Sequence, residues 1–222
     1  MNFRPMLIVN TLLVLAMAGL SAWAWNQIPD GVQIPVHFDI HGQPNGYAGK
    51  PEALGIMPAI VVLVTMCMWL LPRVDPRQAN ILSSMKFWNA TAILVAALLA
   101  YTHALMVGTA LGYHIDMIGA LVPALGVMFI GIGNYLGKTR SNWFGGVRTP
   151  WTMSSEYAWT KTHRLAGQLF MLSGVATLGV WATLGAMPAF IVQISSVIGS
   201  ALLSVVASYF YWRNDPERAG EH

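Results

Sequence analysis

The sequence predicts an all-α, polytopic integral membrane protein with about six transmembrane helices. Three observations carry that expectation. Charged residues make up only 9% of the 222-residue chain, against roughly 25% in soluble domains, too few for an ordinary water-facing surface. Six apolar segments come close to the ~20 residues a helix needs to cross the hydrocarbon. Eleven of the twelve Lys and Arg residues then fall on the loops of one side.

The segments lie at about 6–25, 54–72, 88–110, 115–136, 164–184 and 187–212. None holds Lys, Arg, Asp or Glu in its central part. Backbone groups in lipid must bond internally, so each segment is expected to be helical. Tight turns are expected near Gly112 and near Gly185 and Pro188. Arg4, the first apolar stretch and Ala22-Trp23-Ala24 together have the look of a cleavable signal peptide. The stretch is long for one, and it is expected to remain as the first helix. Cys67, the lone cysteine, lies in an apolar run and is expected to be a small buried residue. Alone it can form neither an intramolecular disulfide nor a multi-cysteine metal site.

Alternating the six crossings puts the N-terminus, loop 73–87, loop 137–163 and the C-terminal tail on one side. That side holds every Lys and Arg but Lys50; with five acids, Glu221 among them, its charge is +6. The positive-inside rule makes it cytoplasmic, with both termini inside. Lys50 faces four acids outside (Asp30, Asp39, Glu52 and Asp116), which leaves that face at −3. Trp23, Trp25 and Trp181 fall at outer helix ends, and Trp69, Trp88 and Trp212 at inner ends, as the headgroup preference of indole expects. Each half of the chain is one helix, a long loop and two helices, in opposite orientation. That is the layout of an inverted repeat, but no residues match between the halves.

In the outer loop, 26–53, Val36, Phe38 and Ile40 alternate with His37, Asp39 and His41. Period two predicts a short strand with an apolar and a polar face, and Pro44-Asn45-Gly46 is a turn signal. His37, Asp39 and His41, joined by His114 and Asp116 at the next outer turn, are the candidate metal ligands. Their spacing matches no specific metal motif, and a solvated polar strand face accounts for them.

The inner loop, 137–163, is denser. Together with Arg164 it holds three tryptophans and five basic residues. Gly145-Gly146 permits a tight turn. Ser154 or Ser155 is placed to cap a short interfacial helix with Glu156 in its early turn, and Trp159 and His163 would share a face at i, i+4. Two readings of the loop stand. One is an interfacial anchor on anionic lipid; the other is a docking surface for a cytoplasmic partner, since Trp and Arg are favoured anchors. No Walker pattern, Gly-x-Ser-x-Gly elbow, His-Glu-x-x-His motif or paired intramembrane carboxylate is present. The chain is therefore read as a non-enzyme without cofactors.

These inner residues carry a resemblance. Gly-Asn-Tyr-Leu-Gly-Lys at 133–138, Arg-x-Asn-Trp-x-Gly-x-x-Arg-Thr-Pro-Trp-Thr at 140–152, then Trp159, Lys161, Thr162, His163, Arg164 and Gly167 resemble the SdpI family of bacterial toxin-immunity and signalling membrane proteins. The outer stretch Ile34-Pro35-Val36-His37-Phe38, with Gly42-Gln43-Pro44-Asn45-Gly46-Tyr47 and Lys50, resembles the domain of unknown function that often precedes it. The resemblance divides the chain into an N-terminal module, 1–72, and an SdpI-like module, 73–222. It implies a multi-pass protein of the bacterial inner membrane, resistance to a secreted membrane-active peptide toxin met on the outer face, and relay to a cytoplasmic transcriptional repressor without direct nucleic-acid binding. By position, the partner-binding residues it implies are Asn134, Lys138, Arg140, Asn142, Trp143, Gly145, Arg148, Thr149, Pro150, Trp151, Thr152, Trp159, His163 and Arg164. Those of the outer loop are His37, Gly42, Pro44 and Lys50, beside Asp39 and His41. Two alternatives are a small-molecule or peptide transporter and a metal-dependent membrane enzyme. The polar groups inside the spans (Thr65, Asn89, His103, Gln168 and Gln193) are sparse for a transport route.

Overall fold

A computed structural model describes residues 1–219; Glu221, counted above on the basic side, lies outside them. The chain order is α1 (Arg4–Gln27), β1 (Ile34–Phe38), β2 (Pro44–Ala48), α2 (Lys50–Val74), α3 (Gln78–Ser83), α4 (Met85–Ala110), α5 (Met117–Leu136), α6 (Pro150–Ser154), α7 (Glu156–Leu184), α8 (Ala186–Arg213) and α9 (Pro216–Ala219). Six of these, α1, α2, α4, α5, α7 and α8, are long and apolar enough to cross a membrane. Ile8, Leu12 and Leu15 on α1, and Ile191, Ile198 and Leu202 on α8, point outward and stay exposed. Lipid is the solvent that tolerates such faces. Cys67 is among the exposed residues of α2, not buried as expected, because an apolar residue on a lipid-facing helix needs no protein cover.

The helices pack as two groups of three. α1, α2 and α4 form one, and α5, α7 and α8 the other; α4 against α5 joins them. Within the first group the contacts run the length of the bundle. Phe3, Met6 and Ala92 meet near one end, Met17, Val61 and Ala96 meet further along, and Ala24, Leu54, Met106 and Val107 meet near the other. Buried polar side chains add ties between these helices. Asn10 donates to Thr65 Oγ1 at 2.9 Å. Ser21 donates to the Leu54 carbonyl at 2.8 Å and meets His103 Nε2 at 2.9 Å.

In the second group, α5 and α7 touch backbone to backbone. A Cβ on Gly133 would lie 2.6 Å from the Gly167 carbonyl, and one on Gly167 equally close to the Gly133 carbonyl. Seven residues along each helix, a Cβ on Gly174 would meet the Gly126 carbonyl at 2.3 Å. Two glycine pairs on facing stripes thus let the helices approach as only small residues allow.

The outer loop forms the only sheet among the described residues, an antiparallel pair β1–β2. Ile34, fully buried, anchors it among Ala24, Ile28, Ala53 and Met106. The chain reverses earlier than the Pro44-Asn45-Gly46 signal suggests, and those three residues belong to β2. Asp39 accepts from the His41 and Gln43 amides at 2.8 and 2.9 Å, and Gly42 takes φ 74°. An Asx-type turn therefore sets the reversal. It ends the strand at Phe38, so Ile40 leaves the apolar face and is exposed.

Candidate functional site: the cap on the basic end of the bundle

Residues 137–163, α3 with its flanks, and the start of the tail fold together into a cap over the end of the bundle that carries most of the basic residues. Local capping chemistry builds its pieces. Thr149 and Thr152 form a reciprocal capping box on α6, and the Thr149 hydroxyl also meets Ser208 Oγ of α8 at 3.0 Å. Ser155 caps α7 by accepting from the Ala158 amide at 2.9 Å. The expected interfacial helix is therefore the first turns of α7 itself. It runs unbroken from Glu156 into the membrane span, because nothing in 156–164 stops it.

His163 is the centre of the cap. It is fully buried and stacks on Trp159, with ring centroids 4.0 Å apart. Its Nδ1–H donates to the Trp159 carbonyl at 2.8 Å, and its Nε2 accepts from the Val147 amide at 2.9 Å. That pairing assigns the neutral tautomer with the proton on Nδ1. Gly146 makes room for it. Its φ is 105°, and a Cβ there would lie 2.1 Å from His163 Nε2. Trp159 donates from Nε1 to the Thr139 carbonyl at 3.0 Å. Asn142, also fully buried, accepts from the Phe144 and Gly145 amides at 3.0 and 2.7 Å and donates to the Arg140 carbonyl at 3.0 Å.

The other loops of that end bind into the same web. Asp75 accepts from the Arg77 amide and, across the cap, from the Trp143 amide at 2.8 Å. Asn80 donates to the Ser141 carbonyl at 2.9 Å, Ser84 accepts from the Arg140 amide at 2.9 Å, and Arg77 reaches the Met153 carbonyl at 2.8 Å. Ser155 donates to Asp215 of the tail, and Ser141 to Glu156.

The signature positions thus separate into two sets. Asn142, Thr149, Thr152, Trp159 and His163 are buried, while Gly145 and Trp151 are half-buried, Trp151 edge-on to Tyr209 of α8 at 5.3 Å. Asn134, Lys138, Arg140, Trp143, Arg148, Pro150 and Arg164 are exposed. Trp143 stands out with 52% exposure, and Arg148 donates to its carbonyl. The buried acids Asp75 and Asp215 were not among the residues singled out in the sequence. Asp75 is the lone acid of loop 73–87, whereas Asp215 shares the tail with Glu217 and Glu221, and neither pattern foretells burial.

On the opposite end, Lys50 is buried at the head of α2. It bonds Asp30 at 2.7 Å and the Trp25 carbonyl at 3.1 Å, with the Trp25 ring 5.4 Å away. It thereby caps the negative C-terminal end of α1. The lysine's hydrogen bond and charge hold the Asp30 carboxyl below its ordinary range. Asp39 is also held low, chiefly by the Gln43 amide. His37 pairs with Asn45 across the hairpin. Gly42 and Pro44 line a cleft with His114 and Asp116, and Asp116 caps α5 through the Gly119 amide. Among the described residues, no three His, Cys, Asp or Glu side chains converge as a metal site would require.

Fold and cap define a class, a six-helix membrane protein with a hairpin on one face and a buried-histidine cap on the other. Comparison with known proteins makes it particular. Residues 138–211 match the SdpI/YfhL protein family, and residues 12–62 match the Domain of unknown function (DUF1648). The chain is similar to Immunity protein SdpI of Bacillus subtilis (strain 168), 22% identical over 206 residues that cover 93% of this chain and 95% of that protein. No solved structure matches.

Proposed function

We propose that the chain is a receptor-type membrane immunity protein that confers resistance to a secreted, membrane-active peptide toxin. The observation that carries this reading is the similarity to Immunity protein SdpI along nearly the whole of both chains. It acts by binding, without catalysis, in a bacterial inner membrane with both termini in the cytoplasm, the orientation the distribution of basic residues favours. Lys50 occupies Asp30, which leaves Asp39, Glu52 and Asp116 to attract a cationic peptide to the outer face. Relay across the bilayer requires the peptide to prefer one helix arrangement over another. The exposed set at the inner cap (Arg140, Trp143, Arg148 and Arg164) is then the surface offered to a cytoplasmic partner, a transcriptional repressor being the class the family implies.

Expression in bacteria sensitive to a secreted cationic membrane-active peptide tests the proposal. Survival should rise in proportion to the amount of protein in the membrane. Unchanged survival across a panel of such peptides, at verified membrane abundance, would contradict it.

A further inference from the structure

We propose that the seam between α4 and α5 holds one anionic phospholipid from the leaflet on the basic side. At the headgroup level of that seam lies a cleft of about 620 Å³, within the size range of small-molecule sites. Lys86, Asn89, Asn134, Tyr135 and Lys138 line it, and no acid does. The one ion pair among the described residues is Lys50–Asp30, in the outer loop region. Both cleft lysines are exposed, and the Lys138 ammonium rests 5.1 Å from the Tyr135 ring centre. Lys86 stands in the first turn of α4, a turn with no acidic residue and no side-chain cap. The positive end of that helix therefore adds to the two lysines instead of being neutralised.

Two further observations narrow the ligand. Asn89 donates its amide to the Asn2 carbonyl at 3.0 Å, which fixes the side chain's orientation, and its Oδ1 is buried without a partner. A ligand that also carries a hydroxyl would satisfy it. The same seam then opens into a second cleft of about 280 Å³ in the membrane span, nearly all apolar, lined by Leu94, Ala97 and Tyr101 of α4 and by Ala124, Val127 and Met128 of α5. On α4 the lining positions Lys86, Asn89, Ile93, Ala97 and Tyr101 advance by three or four and so share one face, and on α5 Val127 and Met128 lie seven residues, about two turns, from Asn134 and Tyr135. From Lys86 to Tyr101 that face climbs about 22 Å at ~1.5 Å per residue, the reach of an acyl chain. Phosphate on the two lysines, a headgroup hydroxyl on Asn89 and an acyl chain along the apolar cleft describe a phospholipid such as phosphatidylglycerol. Because α4 and α5 join the two helix groups, the bound lipid ties one group to the other.

Thermal unfolding of delipidated protein in neutral detergent tests this, with phosphatidylglycerol, phosphatidylcholine or soluble glycerol phosphate added. Phosphatidylglycerol should raise the midpoint, and the other two should not. K86Q/K138Q should weaken the phosphatidylglycerol response on the order of tenfold without moving the lipid-free midpoint. A97W should abolish the response with both charges in place. Equal stabilisation by phosphatidylcholine, or an undiminished response in K86Q/K138Q, would overturn the site. A response to glycerol phosphate would replace the lipid with a soluble phosphate and overturn the proposal as stated. If a variant does not fold, native mass spectrometry of the unaltered protein decides: one phosphatidylglycerol retained over phosphatidylcholine supports the site, and none retained overturns it.

Discussion

The two long loops solve opposite problems. The outer one, 26–53, rises into a hairpin whose buried hold on the helices is Ile34, with Lys50 fixing the loop's return to α2. Its polar residues His37, His41 and Asn45 stay exposed. The inner one, irregular up to Thr149 and then helical in α6 and the first turns of α7, buries Asn142, Thr149, Thr152, Trp159 and His163 in a continuous hydrogen-bonded web with α3, α8 and the tail. A satisfied buried polar web is rigid and specific, and a partly satisfied one is costly. The comparison teaches that a dense motif of polar and aromatic residues can be architecture. In the cap, the proposed contact with a partner is left to the residues outside the web.

Substitutions should rank accordingly. The largest effect is expected at the glycine crossing that carries the cap. Gly167→Leu would drive a side chain into the Gly133 carbonyl, only 2.6 Å from its own Cβ position, and should destabilise by about 3 kcal/mol or more, read as loss of folded protein in detergent. Next comes the web. His163→Phe keeps a ring against Trp159 but strands the Val147 amide; thermal unfolding should show a loss of about 1–3 kcal/mol. In the hairpin, Asn45→Ala removes only an exposed bond to His37 and should stay within about 0.5 kcal/mol. A loss there as large as that of His163→Phe would erase the contrast between the loops.

The smallest effect is the pH response of the Lys50–Asp30 pair. The folded carboxyl titrates below its ordinary value of 3.8. The contribution of the pair is therefore complete above that value and is lost as pH falls through the lowered one. Asp30 is 97% exposed, so the effect is slight. The unfolding midpoint should show no titration from this group between neutrality and about pH 5, and Asp30→Asn should remove only this pair's share of the acid limb, leaving that of Asp39.

Much of this was legible beforehand. Hydropathy placed six spans, because lipid demands long apolar runs and forbids charge within them; the six observed helices overlap all six. Hydropathy begins the span in α7 only at 164, since Lys161, Thr162, His163 and Arg164 lower the hydropathy of a turn that is nonetheless helical, while the capping signal at Ser155 marks the start of the helix itself. The period-two stretch foretold the strand β1, but the reversal went to Asp39, whose carboxylate binds two amides at once. The Trp159–His163 face was readable at i, i+4. The burial of Asn142 and the bridging by Asp75 and Asp215 were not. Burial there is created by loops distant in sequence closing over one another, and no local pattern encodes that.

The central claim is that the inner cap has a structural interior and a working exterior. The direct measurement compares Trp143→Ala/Arg148→Ala with the natural sequence, reading unfolding midpoint and toxin protection on the same preparations at equal membrane abundance. The account predicts an unchanged midpoint and lost protection. Protection retained at an unchanged midpoint would contradict it.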